Sequence, residues 1–227
     1  MYIVHESMQE EAAHVAELFQ DVLRLKSTII QRGLDRGFIY IPEFDGYTEY
    51  PLWYLSKVTE FLGIPEGKAA LVLTQRDRYA ASNSKEDDWV FGTNYGDIAI
   101  VNTARMKRPD NQPSQKLAVT NEVYEKRVAV LALHEIGHRI ARASHFQPAT
   151  WIAANGYELE LGGHCTNDSC VMYEVVDIRA PPESEGHLRL GKEKRFDAGL
   201  DDLIERLNPN WFCDLCISAI QISDAYK

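Results

Sequence analysis

The segment from Glu122 to Ala143, EVYEKRVAVLALHEIGHRIARA, constrains the fold more than any other part of the chain. It holds strong helix formers, no proline and one glycine, with Thr120 or Asn121 placed to cap it. From Val128 to Leu133 it is apolar almost all round, so this helix is expected to run through the core and be packed on several sides. His134, Glu135 and His138 follow that run directly. Two imidazoles and a carboxylate are costly to bury unless something satisfies them.

His134 and His138 stand one helical turn apart, so their rings project from one face and can share one metal ion. Glu135 beside them suits a base that takes the proton of a zinc-bound water before attack on a peptide carbonyl. The expected activity is therefore zinc-dependent peptide hydrolysis. A catalytic zinc needs a third protein donor, for which His145, His164, Glu158 and Glu160 compete. On a continued helix His145 would stand about 10 Å up the axis from His138, too far to share the ion. His164 is preferred, because Gly162 and Gly163 allow a sharp turn before it. Glu158 and Glu160 lie in the alternating YELEL of a strand and read as solvated.

All four cysteines fall in the last third, as Cys165, Cys170, Cys213 and Cys216. In a chain without export features such clustering favours zinc over two disulfides, and four thiolates suit a closed structural site. That site would clip the segment after His164 to the C-terminal helix. Met172 reads either as core filler or as a floor beneath the metal, and Tyr173 as a surface residue in preference to a group that steadies an oxyanion.

At 227 residues, with 45% hydrophobic and 26% charged residues, the chain suits a single domain. A net charge of -10 is the wrong sign for gripping nucleic acid or an anionic membrane. No stretch has the roughly 20 apolar residues of a membrane span, the start lacks the features of a secretory signal, and a cytoplasmic location is expected. Residues 1–65 are expected to form a helical N-terminal part, with helices over 9–33, stopped by Gly33, and near 53–62; His14 is read as solvated. Residues 66–227 are expected to form the catalytic core. Its expected elements are strands at ALVLT (70–74), WVFGTN and DIAIVNTA, charged and Pro-rich loops at 76–88 and 108–115, and a short helix around Trp151 to Ala154. A strand at 157–161, an exposed loop at 181–186, a helix over 194–207 and a last helix within WFCDLCISAIQI complete them.

HEIGH, HCTNDSCVM and CDLC, in that order, together with ALVLTQRDRY, WVFGTN and DIAIVNTARMK, resemble the archaemetzincins over roughly residues 68–219. That family of metzincin zinc peptidases carries HExxHxxGxxHCxxxxCxM and, seventeen residues later, CxxC. The resemblance implies an α+β fold with a mixed sheet backed by helices, and two zinc ions per chain. It implies a catalytic zinc on His134, His138 and His164 with Glu135 as base, and Met172 in a Met-turn. It also implies a structural zinc on Cys165, Cys170, Cys213 and Cys216, and an edge strand near Asp97 to Thr103 that aligns an extended peptide. Two departures stand out. Twenty-five residues separate His138 from His164 where the family has five, with Ala141 in place of its glycine, and 40 separate Met172 from Cys213. Two rivals remain: a zinc-binding protein that has lost catalysis, and a zincin with a glutamate ligand.

Overall fold

In the computed structural model, the structure describes residues 1–41, 46–49, 58–78, 90–109, 118–141, 143–223 and 226. Most of the expected loops at 76–88 and 108–115, and the start of the expected helix at 53–62, lie outside these residues. The elements in chain order are β1 (Tyr2–His5), α1 (Gln9–Leu23), β2 (Thr28–Gln31), β3 (Phe38–Ile41), β4 (Gly46–Glu49), α2 (Val58–Leu62), β5 (Ala70–Thr74), β6 (Gly92–Tyr95) and β7 (Ile98–Asn102). They continue with α3 (Asn121–Ile140), β8 (Gln147–Ala153), β9 (Glu158–His164), β10 (Gly186–Leu190), β11 (Glu193–Arg195), α4 (Leu200–Arg206) and α5 (Asp214–Ala219).

Continuous apolar runs make the centre of the main sheet. β5 and β7 are buried at every position and pair in parallel, as strands covered on both faces should. The five strands lie in the order β2-β1-β5-β7-β6, and only β6 is antiparallel to its neighbour. Side chains alternate cleanly between the two faces. Ile3, Leu71, Leu73 and Val101 pack with Val15 and Phe19 of α1 and Val128 and Leu131 of α3. Val4, Val72 and Ile100 face the opposite way, against Leu34, Val58 and Leu62.

Residues 1–65 are not simply helical, because β1 sits inside the main sheet between β2 and β5. The expected 9–33 helix stops at Leu23, where Arg24 turns left-handed (φ 58°) and the Leu25 N–H closes on Phe19 O at 3.1 Å. The β-branched Thr28, Ile29 and Ile30 beyond it are taken by the sheet as β2. α3 begins as expected, with Thr120 Oγ1 accepting from the Val123 N–H at 3.4 Å. Arg127, buried within α3, donates to Asp201 at 2.8 and 2.7 Å and to the carbonyls of Met106 and Arg108, tying the helix to α4.

The two long stretches read as insertions, between His138 and His164 and between Met172 and Cys213, fold together. β8 and β9 come from the first, β10 and β11 from the second, and they form one antiparallel sheet in the order β11-β10-β8-β9. Trp151 to Ala153 are therefore strand rather than helix, with Trp151 opposite Leu188. The expected 194–207 helix is shortened to α4, because Lys194 and Arg195 are used by β11. The Asp97–Thr103 strand is not an edge: β7 is paired on both sides, which leaves it no free backbone for a peptide. Among the described residues β6 is the outer strand on that side.

Candidate functional site

Among the described residues two groups of metal-ligating side chains come together, and α3 leads into both. In the first, one ring nitrogen each of His134, His138 and His164 lie within 4.8 Å of one another. The first two come from the last turns of α3, and the third from the end of β9, where Gly162 has φ +89°. His134 Nδ1 is 2.8 Å from the Val171 carbonyl, which can only accept, so that nitrogen carries the proton and Nε2 keeps its lone pair. His134 Nε2 and His138 Nε2 are 3.1 Å apart. A tetrahedral zinc holds two nitrogens about 3.3 to 3.4 Å apart, so the pair fits one ion.

Burial pushes the pKa of His134 down, and that of His138 well down with His134 and His164 adding to it, which keeps the rings in the neutral ligand form. His164 is buried, yet its Nδ1 has no hydrogen-bond partner. An orphaned buried imidazole nitrogen in a group of three is the fit a metal would complete. His145 is not in this group. It lies at the cysteines, its Nε2 3.2 Å from Cys165 Sγ. Glu158 and Glu160 are exposed, Glu158 pairing with Arg189, and His14 is exposed as expected.

Glu135 is buried beside the histidines, and Gly92 of β6 makes room for it: a Cβ there would lie 2.1 Å from Glu135 Oε1. Asn94 donates to the Glu135 carbonyl at 3.0 Å. Burial first, and the Glu174 carboxylate second, push the Glu135 pKa up to about 8 against the pull of Arg78. The sequence reading missed Glu174. Its Oε2 meets His164 Nε2, and its Oε1 accepts from the Val175 N–H at 3.0 Å. Burial raises the Glu174 pKa, but His164 and His134 outweigh it and hold the carboxyl below its usual range. No periodicity marks a single glutamate in a turn, so nothing in the sequence singled it out.

Beneath the motif, Gly137 is a clearance. A Cβ on it would lie 2.1 Å from Met172 Sδ, and Met172 is fully buried. A mid-helix glycine costs about 0.5–1 kcal/mol relative to alanine, and the thioether explains its presence here. Tyr173, expected at the surface, is fully buried, because its hydroxyl reaches Asp197 at 2.9 Å and so satisfies its polar end inside the protein.

The second group joins His145 with Cys165, Cys213 and Cys216, and Cys170 lies against it; all four cysteines are free and buried. Cys165 and Cys213 sulfurs are 3.7 Å apart, and Cys170 and Cys216 sulfurs 3.6 Å. Sulfurs sharing a tetrahedral zinc stand about 3.8 Å apart, so the spacing fits that ion. His164 and Cys165, though adjacent, belong to different groups.

A cleft of about 720 Å³ opens at His134 and Glu135. Phe91 and Gly92 contribute to its lining, as do Glu174 and, from the inserted sheet, Trp151 and Leu161.

No family model matches the sequence, and no curated protein was found to resemble it. Two solved structures do resemble the fold. A zinc-dependent peptidase from Methanocorpusculum labreanum aligns with a TM-score of 0.59 at 18% identity, over 97% of this chain and 99% of that one. Archaemetzincin from Archaeoglobus fulgidus aligns with a TM-score of 0.52 at 21% identity, over 96% of this chain and 98% of that one. The chain thus has the α+β fold of the archaemetzincin-like zinc peptidases.

Proposed function

We propose that this chain is a zinc peptidase that binds its catalytic ion through His134, His138 and His164 and uses Glu135 as the base. The observation that carries the reading is the convergence of three histidine nitrogens, one buried without a hydrogen-bond partner, next to a buried carboxylate at a cleft. Zinc in that position would supply Lewis-acid chemistry, polarising a carbonyl and making water more acidic. The protein's own part is positioning. The Val171 carbonyl fixes the His134 tautomer, and Glu174, which lines the cleft beside Glu135, orients His164 through its Nε2. Glu135, held between Gly92 and the histidines, accepts the proton of the attacking water and returns it to the leaving amine.

The substrate is an extended peptide, for which β6 offers the outer backbone edge and the cleft an apolar wall. Trp151 and Leu161 narrow that cleft, so the inserted sheet selects among peptides. A second, structural zinc sits at the cysteine cluster, and the free thiols accord with a cytoplasmic location. Among the described residues no helix is long and apolar enough to cross a membrane.

The test is Glu135→Gln beside His164→Ala, with zinc counted by mass spectrometry and cleavage followed on a mixed peptide library. Glu135→Gln should retain zinc and lose at least about 10²-fold in turnover; His164→Ala should lose the catalytic ion. Unchanged turnover in the first, or unchanged zinc and activity in the second, overturns the assignments. Full zinc in the unaltered chain without any hydrolysis points instead to a binding protein on this scaffold.

A further inference from the structure

Five donors, not four, surround the second metal position. Besides the four thiols, His145 Nε2 lies 3.2 Å from Cys165 Sγ and 3.5 Å from Cys216 Sγ. A nitrogen and a sulfur sharing a tetrahedral zinc stand about 3.5 to 3.6 Å apart, so His145 is placed as a ligand would be. The donor atoms of His145, Cys165, Cys213 and Cys216 lie within 4.8 Å of one another, a complete set of four without Cys170. Cys170 Sγ has another partner available, the Cys213 N–H at 3.3 Å. It can therefore leave the ion without being stranded in the interior.

Resting on the reading that the cysteine cluster binds zinc, we infer that His145 is a fifth, interchangeable ligand that takes the vertex of Cys170 when that thiolate is absent. The closed four-coordinate site then survives the loss of either donor and fails when both are gone. The consequence reaches the cleft. His145 stands in the short connection between α3, which carries His134 and His138, and β8, which carries Trp151. Its ligation would anchor the start of the inserted sheet to the same ion that holds α5.

Cobalt(II) exchanged into the protein reads this out, because the sulfur-to-cobalt charge-transfer band in the near ultraviolet reports thiolate ligands only. Cys170→Ala should keep one metal at the cysteine site with the band changed in shape but present, and His145→Ala should keep both the metal and the band of the unaltered chain. The double variant should lose it, with affinity in chelator competition down by about tenfold or more, a step of about 1.4 kcal/mol. Loss of the metal in Cys170→Ala alone overturns the inference, as does a double variant no weaker than Cys170→Ala. If the unaltered chain shows no thiolate band and Cys213→Ala/Cys216→Ala leaves the metal count unchanged, the zinc reading of the cluster itself fails. Far-ultraviolet circular dichroism of each variant verifies that the fold is intact.

Discussion

In the main sheet, β5 and β7 bury all five residues each; in the inserted sheet, β9 alternates exposed and half-buried positions until the buried His164 at its end, and only part of β8 is covered. The first sheet is a core element, held between helices on one face and a second apolar cluster on the other. The second is covered on one side, where Ala149, Leu188 and Leu190 join the main core, while Trp151 and Leu161 line the cleft and Glu158 and Glu160 are exposed to water. Burial on two faces makes a strand energetically indispensable, whereas a half-solvated strand can be specialised for the substrate at little cost to the fold. The two sheets meet at the end of α3, which leaves the main core and turns into β8 with the histidines at the junction.

Truncation should separate the two sheets. Leu71→Ala, in the centre of the main sheet, is expected to cost about 2–5 kcal/mol in urea denaturation, because it combines lost transfer energy with a cavity between β5 and the helices. Ile152→Ala, half-buried in β8, should cost only about 1 kcal/mol. Equal losses would mean that β8 is held as firmly as β5, and the contrast would be wrong.

A change at the junction is expected to fall between these. Gly137→Ala puts a methyl 2.1 Å from Met172 Sδ and forces either the helix or the turn beneath it to shift. Overpacking of this kind costs about 1–3 kcal/mol. Because His138 follows directly, zinc affinity should fall as well, and Met172→Ala in the same chain should recover the affinity by vacating the space while the cavity it leaves keeps stability low. Competition with a chelator, run alongside thermal melts, reads the two effects. A Gly137→Ala chain with unchanged stability would show that the thioether can step aside.

The same contrast explains what could be read from the residues. ALVLT and the apolar run before HEIGH announce themselves locally, since a strand covered on both faces and a helix covered all round need no partner to be recognised. YIVH at the start is equally apolar but only four residues long, and its place beside ALVLT depends on a parallel pairing across the intervening α1. The period of DIAIVNTA could not say whether the strand was edge or centre, because that depends on where β6 pairs. Trp151 to Ala153 became strand through pairing with residues 186–188, from the other insertion. Such long-range partners leave no local trace. Within the site, His134, Glu135 and His138 were legible from helical spacing alone. Glu174 was not, because its role comes only from where the turn after Met172 delivers it.

The smallest effect should come from the solvent side of the inserted sheet. Arg189 and Glu158 meet at 3.1 Å across β10 and β9, with side chains 39% and 53% exposed. The sheet order places β8 between those two strands, so the pair spans a neighbour and looks like a brace. Its exposure argues otherwise: in high dielectric the Coulomb gain is small, salt screens it, and fixing two long side chains costs rotamer freedom. Glu158→Ala is therefore expected to change stability by no more than about 0.5 kcal/mol, and by less still in high salt. A loss above about 1 kcal/mol that vanishes in 1 M salt would make the pair a structural brace, and the inserted sheet would then be held by its surface rather than by Leu188 and Leu190 on its buried side.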